Sequence, residues 1–383
     1  MLTAAGCRAR RQRLWDRLPE RPDWIVIADP QHQMYFANYF HTPFVFRTTN
    51  AGSLLILGSD GSSILVCDNF LTGFASQAHI DEVVAPVWYR GKESAVHREA
   101  MLVATILDRL KKCPGKHIGL EFSQTPAGVV EGLRAERGEI KLTNVDPIIH
   151  PLKRSKDADE LEVIMRSIRA IDAGQAAGMA EIRPGMTEME AYLLVQKAAI
   201  LNAGEQCIVY GDFVSGPRCE AGGGPPSDRV IEKGDLVLLD FSVVVRGYRG
   251  DFCNTFRCGE TPTDEQFRLY HACIDAITAA ESKVRAGVAG KDIDRTVRDS
   301  FASKHLADTF TTHTGHGVGL GHPDPPYLTP DSSDTLVAGD VIAIEPGQYH
   351  KGVAGMRYER NYLVTETGFE LLSMLKLQID ASA

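Results

Sequence analysis

Two regimes of hydrophobic patterning divide the chain. Up to about residue 150, short apolar runs alternate with helical periodicity. WIVIADP at 24–30 is a continuous apolar run closed by a turn, which predicts a buried strand. SLLILG and SSILVCDNF flank Ser59-Asp60-Gly61 and predict a hairpin. VVAPVW at 83–88 is a further apolar run, and KHIGLEF at 116–122 predicts another strand. Between these two, residues 95–111 place Met101, Ala104, Ile106, Leu107 and Leu110 close to one helical face. The first twenty residues are basic without an apolar core, so they predict a surface helix rather than a signal peptide. Strands alternating with helices imply a small α/β layer domain over 1–152. It holds no cluster of His, Cys or carboxylates at ligand spacing, which predicts a structural or oligomerisation role.

From residue 155 onward the pattern lengthens and then repeats. Asp157 with Glu160 forms a capping box ahead of the apolar stripe Leu161, Ile164, Met165, Ile168 and Ile171. Thr187 with Glu190 caps a second helix, after which residues 211–226 are rich in Gly and Pro. LVLLDFSVVV and FCNTFRC then predict two strands around a turn at 246–250. Thr263 with Gln266 caps a third helix, and a fourth is expected over about 291–305. Arg285-Ala286-Gly287 echoes Arg183-Pro184-Gly185 at an offset of 102, and Gly339-Asp340 with its apolar run echoes Gly234-Asp235 at 105. The second domain, 155–383, therefore reads as helix–helix–hairpin written twice, two half-domains about an approximate two-fold axis.

Charge narrows the partners. The chain has 383 residues, with 41 Lys plus Arg against 50 Asp plus Glu. A net charge of −9 argues against nucleic acid and an anionic membrane surface, and no apolar run is long enough to span a bilayer. Eight scattered cysteines without a C-x-x-C pair predict reduced thiols and a cytoplasmic protein.

The candidate chemistry lies in the repeat. Asp240 and Glu345 each follow an apolar strand six residues after the unit's glycine, where an unpaired carboxylate is costly to bury. Each is followed on the return strand by a second acid, Asp251 or Glu359, at positions expected to match. Four converging carboxylates make a hard-ligand site for a pair of divalent ions. Between the hairpins, TTHTGHGVGLGHPDPPYL carries His313, His316 and His322 in a Gly-rich stretch, adding imidazole to that set. Tyr327 and Tyr349 are candidates for the pocket wall.

GDLVLLDF, RGDFCNTF, HTGHGVGL, IAIEPGQY and MRYERNYLVTETG, in this order over about 155–375, resemble the pita-bread metallopeptidases. That family includes aminopeptidase P, prolidase, methionine aminopeptidase and creatinase-like relatives. The resemblance implies a creatinase-like α/β domain followed by a pita-bread domain. It implies metal ligands at Asp240, Asp251, His316, Glu345 and Glu359, with Glu345 doubling as general base and Arg357 two residues before the last ligand. It further implies two divalent ions (manganese first, with cobalt, zinc or iron as alternatives), a small peptide or amide substrate, and a homodimer. Two positions depart from the family. Gly223 stands where peptidases carry a substrate-side histidine. His322-Pro323-Asp324 replaces a His-Glu pair expected seven and eight residues after the ligand histidine, so His322 sits one residue early. On this reading His322 and His313 are the substrate-side histidines, and His322 and Arg357 join Glu345 in catalysis. The leading expectation is a dinuclear hydrolase of Xaa-Pro peptides. A hydrolase or lyase of a small non-peptide metabolite and a non-catalytic binding module are the alternatives.

Overall fold

The computed structural model describes residues 1–40, 52–94 and 97–381. The chain divides into two compact units, Met1–Lys153 and Arg154–Ala383.

In the first unit the elements run α1 (Ala4–Arg17), β1 (Trp24–Ile27), α2 (Pro30–Ala37), β2 (Ser53–Gly58), β3 (Ser63–Cys67), α3 (Thr72–Ala75) and β4 (Glu82–Val84). They continue with the short pair β5 (Tyr89–Arg90) and β6 (Glu93–Ser94), then α4 (Arg98–Lys111), β7 (His117–Leu120), α5 (Ala127–Arg137), β8 (Lys141–Asn144) and α6 (Asp146–Leu152). A six-stranded mixed sheet has the order β4-β3-β2-β1-β7-β8. The expected hairpin is β2–β3, and every residue of β1, β2 and β3 is buried. Three sequence expectations change here. The N-terminal helix is not merely superficial, because Cys7, Arg10, Leu14 and Trp15 are buried. The turn after β1 starts a helix instead, since Asp29 accepts from Gln31 N and Pro30 pre-sets the first turn. On α4 the buried line is Leu102, Ile106 and Leu110, a strict four-residue spacing, whereas Met101 and Leu107 are half-buried and Ala104 is exposed. Residues 95 and 96 of that expected helix lie outside the described residues.

The second unit begins with α7 (Ala158–Glu181) and α8 (Glu188–Ala203), both opened by the expected capping boxes. Three antiparallel strands follow: β9 (Ile208–Ser215), β10 (Leu236–Val245) and β11 (Tyr248–Arg257). The turn between β10 and β11 is Arg246-Gly247, with φ of 49° and 87°, the positive pair that a two-residue hairpin demands. Then come α9 (Asp264–Glu281), α10 (Gly290–Ala302), β12 (Gly315–Gly317), β13 (Asp324–Leu328), β14 (Val341–Ile344), β15 (Gly347–His350), β16 (Ala354–Arg357), β17 (Arg360–Val364) and β18 (Phe369–Leu371). β12 lies antiparallel to β14 and β14 to β17, as β9 does to β10 and β10 to β11.

The two halves share backbone detail. Gly185 and Gly287 have φ of 95° and 85°, and donate to Ile231 O and Leu336 O. Gly234 and Gly339 have φ of 91° and 92°, and donate to Cys258 O and Val364 O. Isolated bridges join Thr187 to Val230 and, correspondingly, Ala289 to Thr335. The second copy is not a simple hairpin, because β15 and β16 are inserted between β14 and β17. The Gly- and Pro-rich segment also contains more order than its composition implies, since β9 runs into it as far as Ser215.

Candidate metal centre

Strand alternation explains why the acids converge. β10 pairs with β11 so that Ser242 faces Asp251 and Asp240 faces Cys253. Asp240 and Asp251 thus lie on one face, diagonally offset. Glu345 and Glu359 stand one residue beyond the Ile344–Arg360 pair of β14 and β17, directly across from each other. The acids are therefore not at matched positions in the two copies. Cys253 fills the place opposite Asp240, and the second acid is displaced by two residues. Glu359 N donates to Cys253 O at 2.9 Å, joining the copies.

His316, on β12, completes the group. Its Nε2 lies 3.3 Å from Glu345 Oε1 and 3.8 Å from Asp251 Oδ2, while Nδ1 is 2.9 Å from Gly317 O. Asp240, Asp251, His316, Glu345 and Glu359 are all buried. Potential ligand atoms of Asp240, Asp251 and Glu359 lie within 4.8 Å of one another, as do those of His316, Glu345 and Glu359. A third such group is Asp251, His316 and His322.

Burial and mutual repulsion among the acids dominate the electrostatics of this cluster. Burial drives the Asp240 carboxyl well above the usual range, opposed by Arg357 and reinforced by Asp251 and Glu345. Glu359 is raised likewise by burial, then by Asp251, Asp240 and Glu345. For Asp251 and Glu345 burial also acts upward, but the neighbouring histidines outweigh it and both end below their usual values. Burial disfavours charge on His316, yet Glu345 and Asp251 lift its pKa to about 9. Glu345 Oε1 and Glu359 Oε1 are buried without a hydrogen bond. Buried carboxylates held this close fit divalent cations, whose own charge reverses the local cost.

Arg357 lies at the edge of the group. Its Nη1 donates to Asp240, its Nη2 to Gly222 O, and its Nε to Tyr349 Oη at 2.8 Å. Thr255 Oγ1 holds the arginine's backbone, accepting from Arg357 N and donating to Arg357 O. Tyr349 therefore acts through Arg357. Tyr327 lies outside the cleft. His313 is more exposed and approaches Glu345 Oε1 at 3.3 Å through Nδ1. His322 Nε2 lies 2.9 Å from Asp251 Oδ2, on a loop where Asp324 accepts from Gly321 N at 2.8 Å. A cleft of about 540 Å³ opens over these groups, lined also by Tyr210, Asp212, Pro225, Phe241 and Pro323.

Sequence reasoning missed Asp212. It sits on β9 directly opposite Asp240, accepts from Gly224 N at 2.9 Å and lies 3.5 Å from Arg357 Nη2. It also explains Gly223. That residue has φ of 150°, and a Cβ there would come within 2.0 Å of Asp212 Oδ2. The available signal was the apolar alternation at 208–214, obscured by the glycines and prolines that follow.

A family model described as metallopeptidase family M24 matches residues 162–366, over half of the chain. The chain belongs to metallopeptidase family M24. Ahead of its M24 domain, the creatinase/prolidase N-terminal domain model matches residues 10–153. This M24 metallopeptidase is 28% identical over 334 residues to the uncharacterized peptidase YqhT of Bacillus subtilis, covering 82% of this chain and 93% of that one. A Staphylococcus aureus uncharacterized peptidase, SAUSA300_1654, is 31% identical over 60% of this chain and 65% of its own. An Xaa-Pro dipeptidase from Bacillus anthracis shares the fold with a TM-score of 0.81 at 22% identity, covering 99% of both chains. The prolidase from Pyrococcus horikoshii gives 0.81 at 23%, covering 97% of this chain and 99% of that one. The fold is thus a creatinase-like α/β domain followed by a pita-bread domain, and the protein is a metallopeptidase. Among the described residues, no helix is long and apolar enough to cross a membrane.

Proposed function

We propose that the protein is a dinuclear metal-dependent hydrolase cleaving an amide bond in small peptides, with Xaa-Pro peptides the first substrates to test. The observation that carries this reading is the buried group of four carboxylates and His316, crowded beyond what Arg357 alone neutralises. Asp240, Asp251, His316, Glu345 and Glu359 would hold the two ions. Bound there, divalent ions supply Lewis-acid polarisation of a carbonyl and acidify water near neutral pH. Glu345 lines the cleft and keeps one buried oxygen without a hydrogen bond, between His313 and His316, which suits it to take a proton from water and pass it to the leaving nitrogen. His313, partly exposed beside Glu345, is placed to donate to the oxygen that becomes negative in the transition state. Arg357 is a positioning residue that orients Asp240. Asp212, one-third exposed and facing the cleft, offers a carboxylate to a substrate's free amino group.

A second reading, a hydrolase or lyase of a small non-peptide metabolite, is favoured by one observation: Asp212 fills the space where the family's substrate-side histidine would project from position 223. Apo protein reloaded with Mn or Co and assayed on Xaa-Pro dipeptides and tripeptides separates the two. Turnover of any of them supports the peptidase, and inactivity across the panel with both ions bound rejects it. Eight buried cysteine thiols outside any disulfide support a reducing, cytoplasmic setting.

A further inference from the structure

His322 is the one cleft histidine whose approach to the cluster runs through Asp251 alone. Its Nε2 is 2.9 Å from Asp251 Oδ2, and His316 Nε2 is 3.8 Å from that same oxygen. The two imidazoles stand 4.9 Å apart, centroid to centroid, at 88°. With metal–ligand bonds of about 2.1 Å, ligands at right angles lie about 3.0 Å apart and opposed ones about 4.2 Å. Both separations fall at or inside those limits, and one potential ligand atom from each residue lies within 4.8 Å of the others. The loop is built to hold the ring there, since Asp324 fixes Gly321 N just before it.

We propose that His322 is a sixth metal ligand, binding the ion nearest Asp251 and His316. This rests on the dinuclear reading above and takes His322 away from the substrate. The two ions then differ in kind. One would have two imidazoles with Asp251, beside the Glu345 and Glu359 carboxylates that group with His316, and the added nitrogen ligands suit iron, cobalt or zinc. The other, at Asp240, Asp251 and Glu359, has only oxygen ligands, which suits manganese or magnesium. His322 stands six residues after His316, and from there its ring reaches the carboxylate that His316 also approaches. The assignment also removes one hydrogen-bond donor from the substrate side, where position 223 is a glycine.

The test is metal binding, independent of turnover. Apo protein titrated with Co(II) should take up two ions, and His322→Ala should weaken one equivalent at least tenfold while sparing the other. The visible Co(II) spectrum should change in the variant, and far-UV circular dichroism and the apo melting temperature should not. X-ray absorption on the unmodified di-cobalt protein gives a second measurement that needs no variant. One imidazole per cobalt on average is expected, and one for every two cobalts would overturn the assignment. Unchanged affinity and spectrum in His322→Ala would overturn it too. If the unmodified protein binds no Co(II) at all, the dinuclear reading itself fails.

Discussion

At the residue scale, Asp251 is the acid that two histidines approach, His322 at 2.9 Å and His316 at 3.8 Å. It belongs to two of the three candidate ligand groups, and Asn361 clamps its backbone by accepting from Asp251 N at 3.0 Å and donating to its carbonyl. Asp251→Ala should therefore abolish activity and at least one bound ion while leaving the apo melting temperature close to that of the parent. Metal analysis beside a thermal melt checks this. Asp212 carries a different prediction, because it faces the cleft without joining a candidate ligand group. Asp212→Asn should raise KM about tenfold, or about 1.4 kcal/mol, for substrates with a free amino group. N-acetylated analogues should be indifferent to it, and kcat should change little. An equal loss on both substrate kinds would show that Asp212 acts only through Arg357.

At the scale of elements, the duplication was legible because it is written in backbone chemistry. Gly185 and Gly287 need positive φ, and a Cβ would meet nothing within 4 Å at either. Gly185→Ala and Gly287→Ala should accordingly cost nearly the same, about 1–2 kcal/mol, arising from backbone strain alone. Matched denaturant midpoints shifts would show this, and a large disparity would argue against equivalent turns. Capping boxes were equally readable, since Asp157/Glu160, Thr187/Glu190 and Thr263/Gln266 each lie three residues apart and form as the spacing implies. Less was readable in β9, whose pairing partner lies beyond a loop of glycines and prolines. Local pattern carries no information on which strand will face Asp240. The same holds for Glu188. Its buried carboxylate accepts from Ser215 N at 2.8 Å and Ser227 N at 3.1 Å, and from Arg218, pinning both ends of the Gly-rich loop. Glu188→Ala should cost about 3 kcal/mol by leaving those donors buried and unpaired. It should also raise KM, because that loop holds Gly222 against Arg357.

For the whole molecule, the candidate metal centre belongs to the second unit. Among the described residues, every candidate ligand group lies between Asp240 and Glu359. Ions that bind only the folded state stabilise it by about 2.7 kcal/mol each when free metal is a hundredfold above Kd. Chelation should therefore lower the melting temperature of the second unit and leave that of the first unchanged, which differential scanning calorimetry would resolve as two transitions. Motif order made the candidate ligands visible in the sequence, but not the approach of His322 to Asp251, which depends on side-chain rotations that spacing does not encode.

The crowding of Asp212 against position 223 has a consequence for what that position can hold. A Cβ at 223 would meet Asp212 Oδ2 at 2.0 Å, and a φ of 150° strains any side chain there, so a histidine at 223 needs both a displaced Asp212 and a changed backbone. Gly223→His should lower the melting temperature, and a smaller residue at 212 should recover only the part due to crowding, leaving the backbone cost in place. Position 223 is thus tied both to its neighbour at 212 and to its own backbone, so a side chain there is expected to cost stability whatever the cleft binds.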